Sequence, residues 1–286
     1  MLRRWTGLFS SSSGGFGAGA FPGPRAVPIR RGFRAISAAI APTVQPTQVR
    51  TRTTRRTPSE EGPTELAIEL LFVDPHLVVV NKPSGLLVHR GWDDDDDVAM
   101  FRVRDALGQH VHPVHRLDRG TSGALLFART REVAAALAFA FEERRVEKRY
   151  VALVRGVAPD AGSIDHPIPK SEGGPRVSAV TRFRRLATSS VERCSLVDAF
   201  PETGRLHQVR RHLRHIDHPL VGDVNYGSGE INRMYRARYG LHRLALHARL
   251  LAFEHPVTGE ALVVRAPLPP ELASAFDRLG LPWEPP

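Results

Sequence analysis

The chain has 286 residues, of which 42% are hydrophobic and 24% charged, with one cysteine and a formal charge of +10. The lone Cys194 excludes an internal disulfide and a multi-cysteine zinc site, and no run approaches the roughly 18 apolar residues of a membrane-spanning helix. The basic excess lies wholly in residues 1–59, which hold ten arginines and no acid, so the rest of the chain is neutral and any nucleic-acid contact there needs a local patch.

Residues 1–62 are expected to form a disordered tail rich in Arg, Ser, Gly and Pro, with few large apolar side chains to offset chain entropy. An Arg- and Ser-rich, acid-free stretch also fits an organelle presequence or a misassigned start codon. Residues 63–286 are expected to form one domain. Runs 68–73 and 77–80 predict two strands around the turn pair Asp74-Pro75, and Asn81-Lys-Pro-Ser-Gly85 is expected to break the second. The five acids at 93–97 read as a solvated loop. Residues 124–128 predict a buried strand, 132–148 a helix and 150–154 another strand. Residues 179–186 and 195–200 predict a strand pair, with Cys194 a small buried hydrophobe. In 206–215, Leu206, Val209, Leu213 and then Ile216 share one helical face, and His207, Arg210, Arg211 and Arg214 fall off it. Strands at 244–253 and 261–265 and a closing helix at 271–279 complete the chain. Grouped strands with few helical crossovers predict an α+β fold with a largely antiparallel sheet.

The most informative segment is His115-Arg-Leu-Asp-Arg-Gly-Thr-Ser-Gly123, a polar turn before a buried strand. Its one carboxylate, Asp118, lies between Arg116 and Arg119. Neighbouring positive charge favours the ionised form, which suits a nucleophile or base. A plain structural role, capping the Thr-Ser-Gly turn, fits the same pattern. His207, His212, His215 and His218 cluster in sequence but lack the i, i+4 spacing of a zinc helix, so no metal site is expected.

Four ordered segments resemble the RluA family of pseudouridine synthases. They are Asn81-Lys-Pro-Ser-Gly85 with Leu87-Val-His89, the His115–Gly123 segment, Lys148-Arg-Tyr150, and Thr203-Gly-Arg-Leu-His-Gln-Val-Arg210 continuing to Val221-Gly-Asp223 and Tyr226-Gly227. The usual Arg-Thr-His-Gln stands here as Arg205-Leu-His-Gln208. Val88-His-Arg-Gly-Trp92 and Tyr239-Gly-Leu-His-Arg-Leu-Ala-Leu-His-Ala248 resemble a tRNA-directed branch.

The resemblance implies isomerisation of uridine to pseudouridine in RNA, with tRNA as substrate, no cofactor, no metal, no membrane and no obligate protein partner. It implies Asp118 as nucleophile or base, Tyr150 stacked on the uracil, and Arg210 paired with Asp118. It implies Arg116 entering the RNA stack where the base leaves, and Arg119, Arg205, Arg211 and Arg214 on phosphates. An rRNA-directed relative and a non-catalytic RNA-binding protein on the same fold are the alternative readings. The branch implies bacterial cytoplasm, and the Arg-rich start leaves a mitochondrion open.

Overall fold

The computed structural model describes residues 68–90, 96–170 and 173–283. The expected tail, residues 63–67 and residues 93–95 of the acidic run lie outside the described residues. Among those described, no helix is long and apolar enough to cross a membrane.

Strands β1 (Glu69–Val73) and β2 (Leu77–Lys82) pair antiparallel around Asp74. The Asp74 carboxylate accepts the N–H groups of His76 and Leu77 at 2.7 and 2.8 Å, which closes the turn. The expected break at Asn81 comes two residues late. Asn81 and Lys82 stay in β2, paired with Ala124 and Gly123, and the strand stops before Pro83, which has no N–H to give. Helix α1 (Ala99–Leu107) and the short β3 (His112–Pro113) follow, and the sequence predicts neither. The helix buries only Ala99 and Val103, too few apolar positions to mark a period.

Strand β4 (Ser122–Ala128) is buried at every residue, as its apolar run predicts. Helix α2 (Arg131–Glu142) begins where the Thr130 hydroxyl accepts the Val133 N–H at 3.3 Å. It ends well short of the predicted 148. Residues 142–145 are all charged and give the helix no apolar face, and Arg144 turns left-handed at φ 57° to start the reversal into β5 (Glu147–Arg155). The short β6 (Ala161–Asp165), β7 (Ile168–Pro169) and β8 (Arg176–Val177) precede the expected pair β9 (Val180–Thr188) and β10 (Cys194–Pro201). Helices α3 (Gln208–His215) and α4 (Gly229–Tyr239) lead to β11 (Leu246–Glu254), β12 (Ala261–Arg265) and α5 (Pro270–Arg278).

The main sheet runs β1-β2-β4-β11-β5-β10-β9-β6, with β12 on β11 and β3 on β4. Every pairing is antiparallel except β4 with β11, so the α+β, largely antiparallel expectation holds. At that parallel crossing Gly123 sits at φ 117°, and a Cβ there would overlap the Ala248 carbonyl. This close approach fixes where the 114–121 loop enters β4. Tyr150, on the central β5, packs against two apolar clusters. One is built around Val80, Val103 and Leu125, the other around Val197, Val209 and Leu213 of α3.

Candidate active site

A cleft of about 830 Å³ opens over Tyr150, and Asp118, Lys148, Arg205, His207 and Arg210 line it. Asp118 stands in the loop between β3 and β4, where its own carbonyl accepts the Thr121 N–H at 3.0 Å. Two anchors hold the loop from below. The Ser84 hydroxyl donates to the Gly120 carbonyl at 2.8 Å, and the Gly85 N–H donates to the Arg119 carbonyl at 2.7 Å. Just past the loop, Ser122 Oγ lies 2.8 Å from His247 Nδ1 and accepts Arg243 Nη2 at 2.6 Å.

Arg210 reaches the cleft from α3. Its Nη1 donates to Asp118 Oδ2 at 3.1 Å, while Nε and Nη2 form a two-pronged pair with Asp223 at 2.8 Å each. Asp223 Oδ1 also accepts the N–H groups of Asn225 and Tyr226, each at 3.0 Å. The helical face count sets Arg210 apart from the buried stripe, yet it is only 7% exposed, because two carboxylates take its charge inside. Burial works against the Arg210 charge, and Asp223 and Asp118 more than offset it, so its pKa lies above the ordinary arginine value. Burial likewise pushes the Asp223 carboxyl up, and Arg210 with the two backbone N–H groups pulls it below its usual range. Gly222, at φ 78°, lets this segment pass against the Arg243 carbonyl, where a Cβ would overlap it.

Burial, with the Asp118 charge beside it, raises the Tyr150 hydroxyl far above its ordinary pKa, so the phenol stays protonated at neutral pH. Lys148 donates to the Thr203 carbonyl at 2.9 Å, and burial followed by Arg144 and Arg205 pulls its pKa down to about 8. His207 Nε2 lies 3.8 Å from Asp118 Oδ1.

The expected RNA-contacting arginines are scattered. Arg116 and Arg205 are exposed and line the cleft. Arg119 is exposed with its Nε on the Gly85 carbonyl at 2.9 Å, outside the cleft lining. Arg211 turns its Nε onto Tyr226 Oη at 2.7 Å. Arg214 is exposed, pairs with Asp217 at 3.1 Å and lines a second groove. The histidines bind neighbours: His212 meets Thr181 Oγ1 at 2.8 Å and the His166 carbonyl at 2.9 Å, and His218 meets the Arg155 carbonyl at 2.8 Å. Cys194 is fully buried, and burial raises its thiol pKa.

Sequence reasoning places His207 only as a structural or RNA-facing histidine and gives no part in the chemistry to Asp223, Tyr226 or Lys82, although all four stand in the motif segments. Lys82 is wholly buried and donates to the carbonyls of Pro83, Leu86 and Arg119 at 2.8, 2.7 and 3.3 Å. It thereby ties the Asp118 loop to the end of β2. Burial and Arg243, opposed by Asp118, lower its pKa from the ordinary 10.5 to about 7. Between those two values the unfolded chain binds more protons than the folded one, so stability rises with pH across the window. Relative to Lys82→Met, the wild-type protein should gain up to about 1.4 kcal/mol per pH unit within that window. Urea melts of both proteins at pH 7.5, 8.5 and 9.5 measure this, and a flat difference would show that burial does not oppose the ammonium.

Comparison with known proteins gives the family. A family profile described as RNA pseudouridylate synthase matches residues 76–215. The tRNA pseudouridine synthase C of Pasteurella multocida is 42% identical over 223 residues, covering 70% of this chain and 91% of the relative. That of Haemophilus ducreyi is 40% identical over 235 residues, covering 75% and 97%. The solved structure of Human RNA Pseudouridylate Synthase Domain Containing 4 superposes with a TM-score of 0.62 at 31% identity, covering 75% of this chain and 94% of that one. With relatives this similar along nearly their whole length, the chain belongs to the RNA pseudouridylate synthase family.

Proposed function

We propose that the protein isomerises uridine to pseudouridine in tRNA, with Asp118 starting the reaction and Arg210 holding it. The carrying observation is the ion chain Asp118–Arg210–Asp223, whose inner carboxylate is wholly buried and whose outer one opens to the cleft. Arg210 occupies Asp118 Oδ2, which leaves Oδ1 to react. Oδ1 either adds to ribose C1′ as the N-glycosidic bond breaks, giving an ester that uracil C5 later displaces, or takes the C2′ proton to give a glycal. Either way the uracil turns over in the cleft and a C1′–C5 bond forms, with the glycal route returning the proton to C2′. The C5 proton then leaves to solvent, N1 takes one up, and the aspartate is regenerated as the carboxylate. No atom is gained or lost in sum, so the balance needs no redox partner.

The remaining roles follow from position. Tyr150, protonated and partly buried at the cleft floor, offers its ring to the uracil. Arg116 and Arg205 stand at the exposed rim, where a flipped-out nucleotide exposes its neighbours and its phosphates. The names of the bacterial relatives support tRNA as the substrate, and their bacterial origin supports a bacterial cytoplasm as the place of the reaction.

The test is direct. Purified protein is incubated with unmodified tRNA transcripts and, separately, with ribosomal RNA transcripts, and carbodiimide adducts map pseudouridine. Pseudouridine should appear in a tRNA. Its appearance in ribosomal RNA alone would move the substrate, and its absence from both would end the reading.

A further inference from the structure

Arg210 accounts for one oxygen of Asp118, and the other, Oδ1, faces His207 Nε2 across 3.8 Å. Which form of the imidazole stands there is set on its far side. His207 Nδ1 lies 2.9 Å from Tyr226 Oη. The same Oη accepts the Arg211 Nε–H at 2.7 Å. An arginine only donates, so Tyr226 receives from Arg211 and keeps its single proton free, and donating that proton to Nδ1 makes the ring nitrogen the acceptor. With Nδ1 accepting, the ring proton must sit on Nε2. The near side selects the same tautomer, because a bare Nε2 would set its lone pair against the Asp118 carboxylate. Burial lowers the His207 pKa, Asp118 opposes that, and Arg210 and Arg211 reinforce it, which keeps the ring neutral.

The surroundings hold the ring in this pose. The guanidinium carbons of Arg210 and Arg211 lie 5.0 and 5.5 Å from the centre of the Tyr226 ring. The His207 and Tyr226 rings meet edge to face at 5.7 Å. His207 adopts φ 52°, a left-handed backbone unusual for a side-chain-bearing residue, directly before α3. That conformation starts the helix that carries Arg210 and turns His207 toward the cleft at the same point.

We propose that Arg211, Tyr226 and His207 form a hydrogen-bond relay that fixes His207 as a neutral Nε2–H donor facing Asp118 Oδ1, making it a positioning residue for the oxygen that reacts. The proposal rests on Asp118 being the reacting group. It gives Arg211 an inward role in place of the phosphate contact expected from sequence. It also gives His207 no part as a base, since its one free nitrogen is taken by Tyr226.

Tyr226→Phe tests this most cleanly, because it keeps the ring against both arginines and removes only Oη. Losing one oriented hydrogen bond should lower kcat roughly five- to twentyfold while KM for tRNA changes less than about twofold. Arg211→Ala should show the same split. His207→Gln, which retains a side-chain N–H donor, should keep more activity than His207→Ala. In protein labelled with ¹⁵N-histidine, His207, assigned by its loss in His207→Gln, should show the Nε2–H pattern, and Tyr226→Phe should mix the tautomers. An Nδ1–H ring in the wild-type protein overturns the proposal, as does wild-type kcat in Tyr226→Phe or an Arg211→Ala that changes KM alone. Asp118→Asn in the same assay separates the two claims. If it turns over, the reading of the site fails; if it is inactive while Tyr226→Phe matches wild type, the relay alone fails.

Discussion

Asp118→Asn is expected to leave no pseudouridine above background in a tRNA that the wild-type protein modifies fully, while tRNA affinity changes less than about threefold. The substitution keeps the side-chain shape and an oxygen for Arg210 Nη1, now 3.1 Å away. It removes the one property both chemical routes need, since a carboxamide neither adds to C1′ nor takes the C2′ proton. Binding survives because phosphate contacts come from arginines that the change does not touch. Carbodiimide mapping and filter binding on the same preparation measure the two effects. Mass spectrometry shows that the asparagine has not reverted by deamidation. Turnover by the verified variant would remove Asp118 from the reaction.

Arg210→Ala should harm folding and activity together. It leaves Asp223, whose side chain is wholly buried, with no paired cation among the described residues, and it frees Asp118 in the cleft. Breaking a buried pair from one side costs about 3–5 kcal/mol. For a domain of this size that lowers Tm by roughly 6–20 °C. Arg210→Lys should keep the fold better and still lose most activity, because one ammonium cannot form two prongs to Asp223 and reach Asp118 as well. Asp223→Asn should resemble Arg210→Lys, with its kcat lowered more than its Tm. The sign of the pH effect also follows. Asp223 titrates below its ordinary value, so its contribution is full above about pH 4 and is lost as pH falls toward the lower folded value. An Arg210→Ala protein with wild-type Tm and turnover would show that the ion chain is incidental.

Much of this architecture can be read from local pattern. The all-buried β4, the β12 hairpin partner and the closing α5 each have a clear apolar signature. Elements without one escaped. Helix α4 carries Arg233, Arg236 and Arg238 and buries only Tyr235 and Tyr239, so its periodicity is faint. The sequence extends helix α2 to 148 because Glu and Arg are good helix formers, and local propensity carries no information on the turn into β5. Asp118 stood out because it is the single acid in a basic, glycine-rich turn. Asp223 did not, because its partner is 13 residues away on another element and the pairing exists only in three dimensions. Lys82 and Arg210 look solvated by composition. Lys82 is buried because backbone carbonyls accept its N–H groups, and Arg210 because carboxylates meet its charge inside, and no hydropathy pattern records either.

The central claim, that Asp118 of this chain drives pseudouridine formation in tRNA, meets its most direct test in a bacterial host lacking its own tRNA pseudouridine synthase C. The wild-type chain or Asp118→Asn is expressed to equal levels, and pseudouridine is mapped across total RNA. The wild-type chain should restore a pseudouridine in tRNA, and Asp118→Asn should restore none. Equal restoration by both proteins, or a wild-type signal confined to ribosomal RNA, would contradict the account.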